Sequence, residues 1–269
     1  MLKILVVSDL HAFTPPNHNT GKTIDDPPSF LVNTEVESKK QPNPIELIPD
    51  LLKAEGLDVD WILCPGDIAD RADPDAQAFA WRHLVNLKKS TKARLLLGTV
   101  GNHDVDSRLQ FSEFDPKGHL QALSPPFPGI NGAAANRYWA RNFHIQQEGT
   151  VRLLNLNSAA YHGFSSRYQQ TKPEYLQGRV SERTIEAIRK ELSTAKSFDH
   201  NILFTHHHPF QERRNIRLRL QQHGARRKTC FNAVRAHIGQ LAYYSWTSTL
   251  PCTPICSGSR IPVSNFLRW

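Results

Sequence analysis

Short apolar runs alternate along the chain with segments whose apolar residues recur at helical spacing. Ile4–Val7, Trp61–Cys64, Arg94–Val100, Val151–Leu156 and Ile202–Thr205 are β-branched or leucine-rich and read as buried strands. Pro44–Ala54, Pro74–Lys89 and Ser181–Lys196 read as helices. In the last of these Ser181 is placed to cap the first turn, and Ile185, Ile188 and Leu192 fall on one stripe. Such alternation predicts an α/β (α+β) layered fold in which helices cover a sheet. Ala12–Pro44 is polar, carries six prolines and has no periodicity, so it reads as a long loop, and Ser124–Gly132 as another. Long loops in a compact domain are more often functional than idle. The chain contains no internal repeat.

With 269 residues, 39% hydrophobic and 22% charged, and a mean hydropathy of −0.48, the chain can bury a real core. Disorder, collagen and coiled coil are excluded. No run approaches the roughly 18 apolar residues that a membrane-spanning helix needs. The opening segment, a short apolar run ending in Asp9 with no small-residue cleavage site, reads as a buried strand rather than a signal peptide. Four cysteines (Cys64, Cys230, Cys252 and Cys256) are too sparse for a disulfide scaffold, so a reducing, cytoplasmic compartment is expected.

Charge changes the picture, because it is uneven. The 57 residues from Arg213 to Trp269 contain no Asp or Glu. Residues 206–269 carry a net +9 and the rest of the chain a net −1, so the pI of 9.4 describes only the last quarter. Such a segment is either a basic arm for nucleic acid or an anionic surface, or a tail whose composition was not selected for folding.

The residues with chemical character sit at the C-terminal ends of the expected strands, where loops of α/β folds build their sites. They are Asp9-Leu-His11, Gly66-Asp67-Ile-Ala-Asp70, Gly101-Asn102-His103-Asp104 and, after Ile202–Thr205, His206-His207-His208-Pro209. Hard and borderline divalent cations take this mixture of carboxylate, amide and imidazole donors. In an extended segment Asp9 and His11 would point the same way and grip one ion together. Gly66 and Gly101 would let the backbone turn sharply just before a ligand. Asp70, Asp106 and His83 are expected to be helix caps and solvated positions.

In this order the four motifs resemble the calcineurin-like metallophosphoesterase superfamily, over roughly residues 1–210. The resemblance implies a β-sandwich flanked by helices, here truncated at its C-terminal end, with two divalent metal ions (Mn, Fe, Zn or similar) at the sheet edge. It implies that Asp9 and His11 hold one ion, that Asp67 bridges both, and that Asn102 and His207 hold the other. His207 is taken because the family's ligand sits two residues before the proline. His103 would be the catalytic group facing the phosphate, oriented by Asp104. The reaction implied is hydrolysis of a small phosphate ester by a hydroxide bridging a dinuclear centre, with phosphodiesters, cyclic nucleotides among them, as the nearest substrate class.

The family's last motif, Gly-His-x-His, is absent: the histidines after His208 are His223 and His237. Trp246-Thr-Ser-Thr-Leu250, read from the second base of its codons, spells Gly-His-x-His if Ser248 is encoded TCN and Thr247 and Thr249 are both encoded ACA. The same shift permits an apolar strand over Leu241–Ser245. The chain is therefore expected to comprise a domain over 1–237 and an acid-free tail over 238–269 that is out of its ancestral reading frame and does not complete the sheet.

A competing reading is a catalytically weak or dead phosphoesterase-like protein that binds nucleic acid or an anionic partner such as a membrane through Arg213, Arg214, Arg217, Arg219 and Arg226–Lys228, with Phe231, Tyr243, Tyr244 and Trp246 for stacking. No nucleic-acid module accompanies these residues. Cys252-x3-Cys256 lacks partners at zinc-site spacing and reads as incidental.

Overall fold

The computed structural model describes residues 2–16, 21, 23, 25, 27–33, 43–129, 131–163, 178–193, 198–207 and 241–244. Strands β1 (Ile4–Val6), β2 (Trp61–Cys64) and β3 (Leu95–Gly98) form a parallel sheet in that order, with Val6 opposite Leu63 and Cys64 opposite Gly98. Parallel strands bury both faces and so carry continuous apolar runs, which is why these were legible. Helices α1 (Pro44–Ala54) and α2 (Pro74–Thr91) form the crossovers. Each starts on a capping side chain followed by proline. Asn43 accepts the Ile45 N–H, and Asp73 accepts those of Asp75 and Ala76.

The second sheet contains β4 (Phe143–Glu148), β5 (Val151–Leu156), β6 (His200–Thr205) and β7 (Leu241–Tyr244) in that order. β4 runs antiparallel to β5, while β5, β6 and β7 are parallel. Helices α3 (Gly118–Gln121) and α4 (Gly132–Arg141) precede this sheet, and α5 (Glu182–Ser193) lies between β5 and β6. β5 shows how the layers stack, since side chains alternate across a strand. Val151 and Leu153 join Trp61, Leu97, Tyr138 and Phe204 in the main core. Leu154 and Leu156 pack with Ile185, Ile188 and Leu192 of α5 in a second one. The two sheets are also stitched by the Asn155 side-chain amide donating to Gly98 O at 2.7 Å and by the Thr99 hydroxyl donating to Leu156 O at 3.1 Å.

The mixed α/β architecture follows the expectation. Ser181 caps α5 through the Thr184 N–H at 3.2 Å. β4 and α4 were not anticipated: β4 is an edge strand of largely polar residues, FHIQQE, whose apolar signal is weak. The tail also departs from expectation, because Leu241–Tyr244 adds a strand beside β6 instead of leaving that edge open. The basic segment 213–228, His237 and the Cys252–Cys256 pair lie outside the described residues. Among the described residues no helix is long and apolar enough to cross a membrane.

Candidate metal centre

Parallel strands deliver their C-terminal ends to one edge, so the segments after β1, β2 and β3 meet there. The residues after β1 do not continue as an extended strand: Asp9 lies at φ 55° and His11 at φ 43°. Asp67, after β2, lies at φ 53°. Three non-glycine residues in the left-handed region within one site store backbone strain, as binding sites do. The expected straight-strand geometry for Asp9 and His11 is therefore absent, yet their ligand atoms and that of Asp67 lie within 4.8 Å of one another. Backbone bonds hold the turns together: Asp9 N–H donates to Gly66 O at 3.3 Å, and His11 N–H to Asp67 O at 2.9 Å.

Gly66 and Gly101 are needed because the loops touch. Gly66, at φ +101°, has room for no side chain: a Cβ there would stand 2.6 Å from Gly101 N. A Cβ on Gly101 would stand 2.3 Å from Asp67 N and 2.1 Å from its Oδ1. At Gly101 the requirement is close approach, not the sharp turn that was expected.

Asp104 locks these loops. Its buried carboxylate accepts N–H bonds from Asp67 (2.8 Å), Ile68 (2.7 Å), Ala69 (3.3 Å) and Gly101 (2.8 Å). Burial, and then the charge of Asp67, push this carboxyl up to about 7 against the pull of the amides. Asp104 thus shapes the backbone around Asp67, and the residue that orients His103 is a different one. His103 Nδ1 meets Asp70 Oδ1 at 3.1 Å. Asp70, expected to be a helix cap, is buried, and the cap of α2 is Asp73. Arg71 and Ala72, at φ 50° and 58°, turn the chain so that the carboxylate reaches back, and Ala72 N–H donates to His103 O at 2.7 Å. Burial pulls the His103 imidazole down, but the Asp70 hydrogen bond and the charge of Asp67 outweigh it and leave it raised. Burial pushes Asp70 up, and the His103 contact reverses this to leave it lowered. Asp106, also expected to be a cap or exposed, is buried and accepts the N–H groups of Gln110, Phe111 and Ser112, tying down the loop after the motif. His83 is part-buried against Phe79 and lies 3.5 Å from Glu46.

β6 brings two histidines to the edge, and they face different neighbours. His206 Nδ1 is 2.8 Å from Pro65 O, and its Nε2 lies 2.9 Å from Asn102 Oδ1 and 3.5 Å from Asp67 Oδ2. His207 turns the other way: its Nδ1 is 2.8 Å from the Ser158 hydroxyl, and its ring lies 5.1 Å from that of His162. The structure thus places His206, rather than His207, against Asn102 and Asp67. A ring nitrogen anchored on a backbone carbonyl, with the other aimed at carboxylate and amide oxygens, is how proteins orient an imidazole ligand.

On the other flank, His11 Nε2 lies 3.8 Å from Asp67 Oδ2. Burial lowers the His11 imidazole, against the attraction of Asp67, which favours the neutral, ligating form. Asp67 Oδ1 accepts the His103 N–H at 2.8 Å, so Oδ2 remains between the two imidazoles. A second cluster, His11, Asp70 and His103, also brings its ligand atoms within 4.8 Å of one another. Oxygen donors from Asp9, Asp67 and Asn102 with nitrogen donors from His11 and His206 suit divalent cations of the Mn, Fe or Zn kind. A family model described as calcineurin-like phosphoesterase matches residues 2–238. No curated protein matches the chain.

Proposed function

Because the chain belongs to the calcineurin-like phosphoesterase family, a family of metal-dependent phosphoester hydrolases, we propose that it cleaves phosphodiesters at a two-metal centre. Asp9 and His11 would hold one ion and Asn102 and His206 the other, with Asp67 placed between the two sets. The observation that carries this reading is Asp67 Oδ2, 3.8 Å from His11 Nε2 on one side and 3.5 Å from His206 Nε2 on the other. When bound, divalent ions at these residues would supply the positive charge that such hydrolysis needs.

The chain's own residues do the rest. Asp104 and the Gly66–Gly101 contact fix the backbone that presents Asp67, so the site is organised before substrate arrives. Asp70 holds His103 through Nδ1, which leaves Nε2 to carry a proton to the departing oxygen. The raised proton affinity of His103 suits an acid. The function needs no covalent bond to the protein.

Substrate class is tested by comparing bis(p-nitrophenyl) phosphate with p-nitrophenyl phosphate in the presence of Mn²⁺. The diester should have the higher kcat/KM by about tenfold or more, which corresponds to about 1.4 kcal/mol of transition-state stabilisation. A preference for the monoester would refute the phosphodiesterase reading while leaving the family assignment intact.

A further inference from the structure

A groove of about 360 Å³ lies between the last turns of α2 and the loop that precedes α4. Helix α2 begins beside Asp70 and runs 18 residues away from the metal-binding edge. Lys88, Lys89 and Lys92 stand about 21–27 Å along it at 1.5 Å per residue, so the cationic end of the groove is separate from the centre described above. Its floor is apolar: Val85, Leu96 and the edge of Trp81, with Pro125 and Pro126 as one wall. The floor is also preformed. The Trp81 indole N–H donates to Pro125 O at 2.7 Å, and its ring packs 5.0 Å from that of Phe127.

Around this floor stand Lys88, Lys89 and Lys92. Lysines in a last helical turn complement the helix dipole, but three of them on one apolar groove leave charge to spare. None forms an ion pair with a carboxylate among the described residues. The sequence leaves little to neutralise them, since residues 76–103 contain five Lys or Arg and no Asp or Glu, and residues 116–147, which hold the opposite wall, contain no acid either. Arg94, at the same end, is by contrast paired with Asp60 and Glu148. The acid-free segment 213–269 carries the wrong charge to fill the groove.

An apolar, rigid floor with an uncompensated cationic rim selects its occupant by chemistry. A neutral apolar molecule leaves the lysines unused, and a cation is repelled. The volume lies in the range of small-molecule sites. We propose that this groove binds a small amphiphilic anion, its apolar body on Val85, Pro125 and Pro126 above the buried Leu96 and Trp81, and its acidic head among Lys88, Lys89 and Lys92.

Titration calorimetry of the full chain with octanoate, octan-1-ol and octylamine tests this, because the three share a tail and differ in head charge. Octanoate should bind with one-to-one stoichiometry and at least about tenfold more tightly than the other two, as expected for charge-assisted contacts. K88Q/K89Q/K92Q, a surface variant, should lose about tenfold for octanoate and nothing for octanol. Val85→Glu, which adds a carboxylate to the floor, should abolish octanoate binding. Phosphodiester hydrolysis should be unchanged in the lysine variant, so the outcome does not depend on the metal centre. Octanoate binding no tighter than octanol, octanoate binding that survives the loss of all three lysines, or an acidic peptide that displaces octanoate and binds more tightly would each overturn the proposal.

Discussion

Gly101→Ala is a one-methyl change whose effect follows from the contact between the loops after β2 and β3. The added Cβ would stand 2.3 Å from Asp67 N and 2.1 Å from Asp67 Oδ1. Ordinary contact begins near 3.5 Å, so the two loops must part by about 1 Å. Backbone and a buried carboxylate have no rotamer that could make room. The separation strains two bonds that share one Asp104 oxygen, from Asp67 N–H and Gly101 N–H, each 2.8 Å long. Overpacking of this kind costs about 1–3 kcal/mol. In a domain of this size that is a fall in Tm of roughly 2–12 °C. The functional loss should be larger than the stability loss suggests, because a misplacement of about 1 Å in a catalytic constellation costs on the order of 100-fold in rate. The assay is kcat on a diester at saturating Mn²⁺, with bound metal measured after gel filtration and Tm measured in parallel. Gly132→Ala is the control: a Cβ there meets nothing within 4 Å, so it should be neutral or slightly stabilising. A Gly101→Ala protein with native metal content and kcat would refute the claim that this close approach sets the position of Asp67.

Further predictions concern individual roles. Asp70→Asn should keep its metal and lose rate, because Asp70 acts through His103. Since Asp70 raises the His103 imidazole and the protonated form is the acting one, the variant's alkaline limb of the pH–rate profile should move to lower pH; loss of metal instead would make Asp70 a ligand. His206→Ala should lower metal affinity by about 10–100-fold or more, the scale set even by residues that only support a ligand, with His207→Ala the milder change; the reverse order, read by metal titration, would return the role to His207. The nucleotide sequence should show ACA at both Thr247 and Thr249, and any other codon at either position ends the reading-frame hypothesis.

The parts of this molecule that were legible in sequence are those where one signal dominates. β2 and β3 are apolar along their length, and β5 is apolar apart from the buried Arg152 and Asn155, because both faces are buried. β4 escaped because an edge strand with one wet face dilutes the same signal. Asp70 reads as a cap because it lies four residues before the Pro-Asp start of α2. Only the left-handed turn at Arg71 and Ala72 reveals that its carboxylate is directed to His103. The choice between His206 and His207 is a matter of parity, since adjacent residues at the end of a strand face opposite ways and motif spacing alone does not fix which faces Asp67. The cationic groove on α2 escaped because the charge imbalance of residues 206–269 dominates any count along the chain. The strand β7 bears on the missing histidine pair. It runs parallel to β6, so its C-terminal end, where the shifted frame would write Gly-His-x-His, lies at the edge that carries His206.

The central claim is that Asp67 is the shared ligand of a hydrolytic metal centre. It is tested most directly by Mn²⁺-dependent turnover of bis(p-nitrophenyl) phosphate, measured together with bound metal, in the native chain and in Asp67→Ala. Turnover should require metal, be abolished by a chelator, and disappear in Asp67→Ala along with the bound ions while the fold persists. Turnover indifferent to metal, or an Asp67→Ala protein that keeps both its ions and its rate, would contradict it.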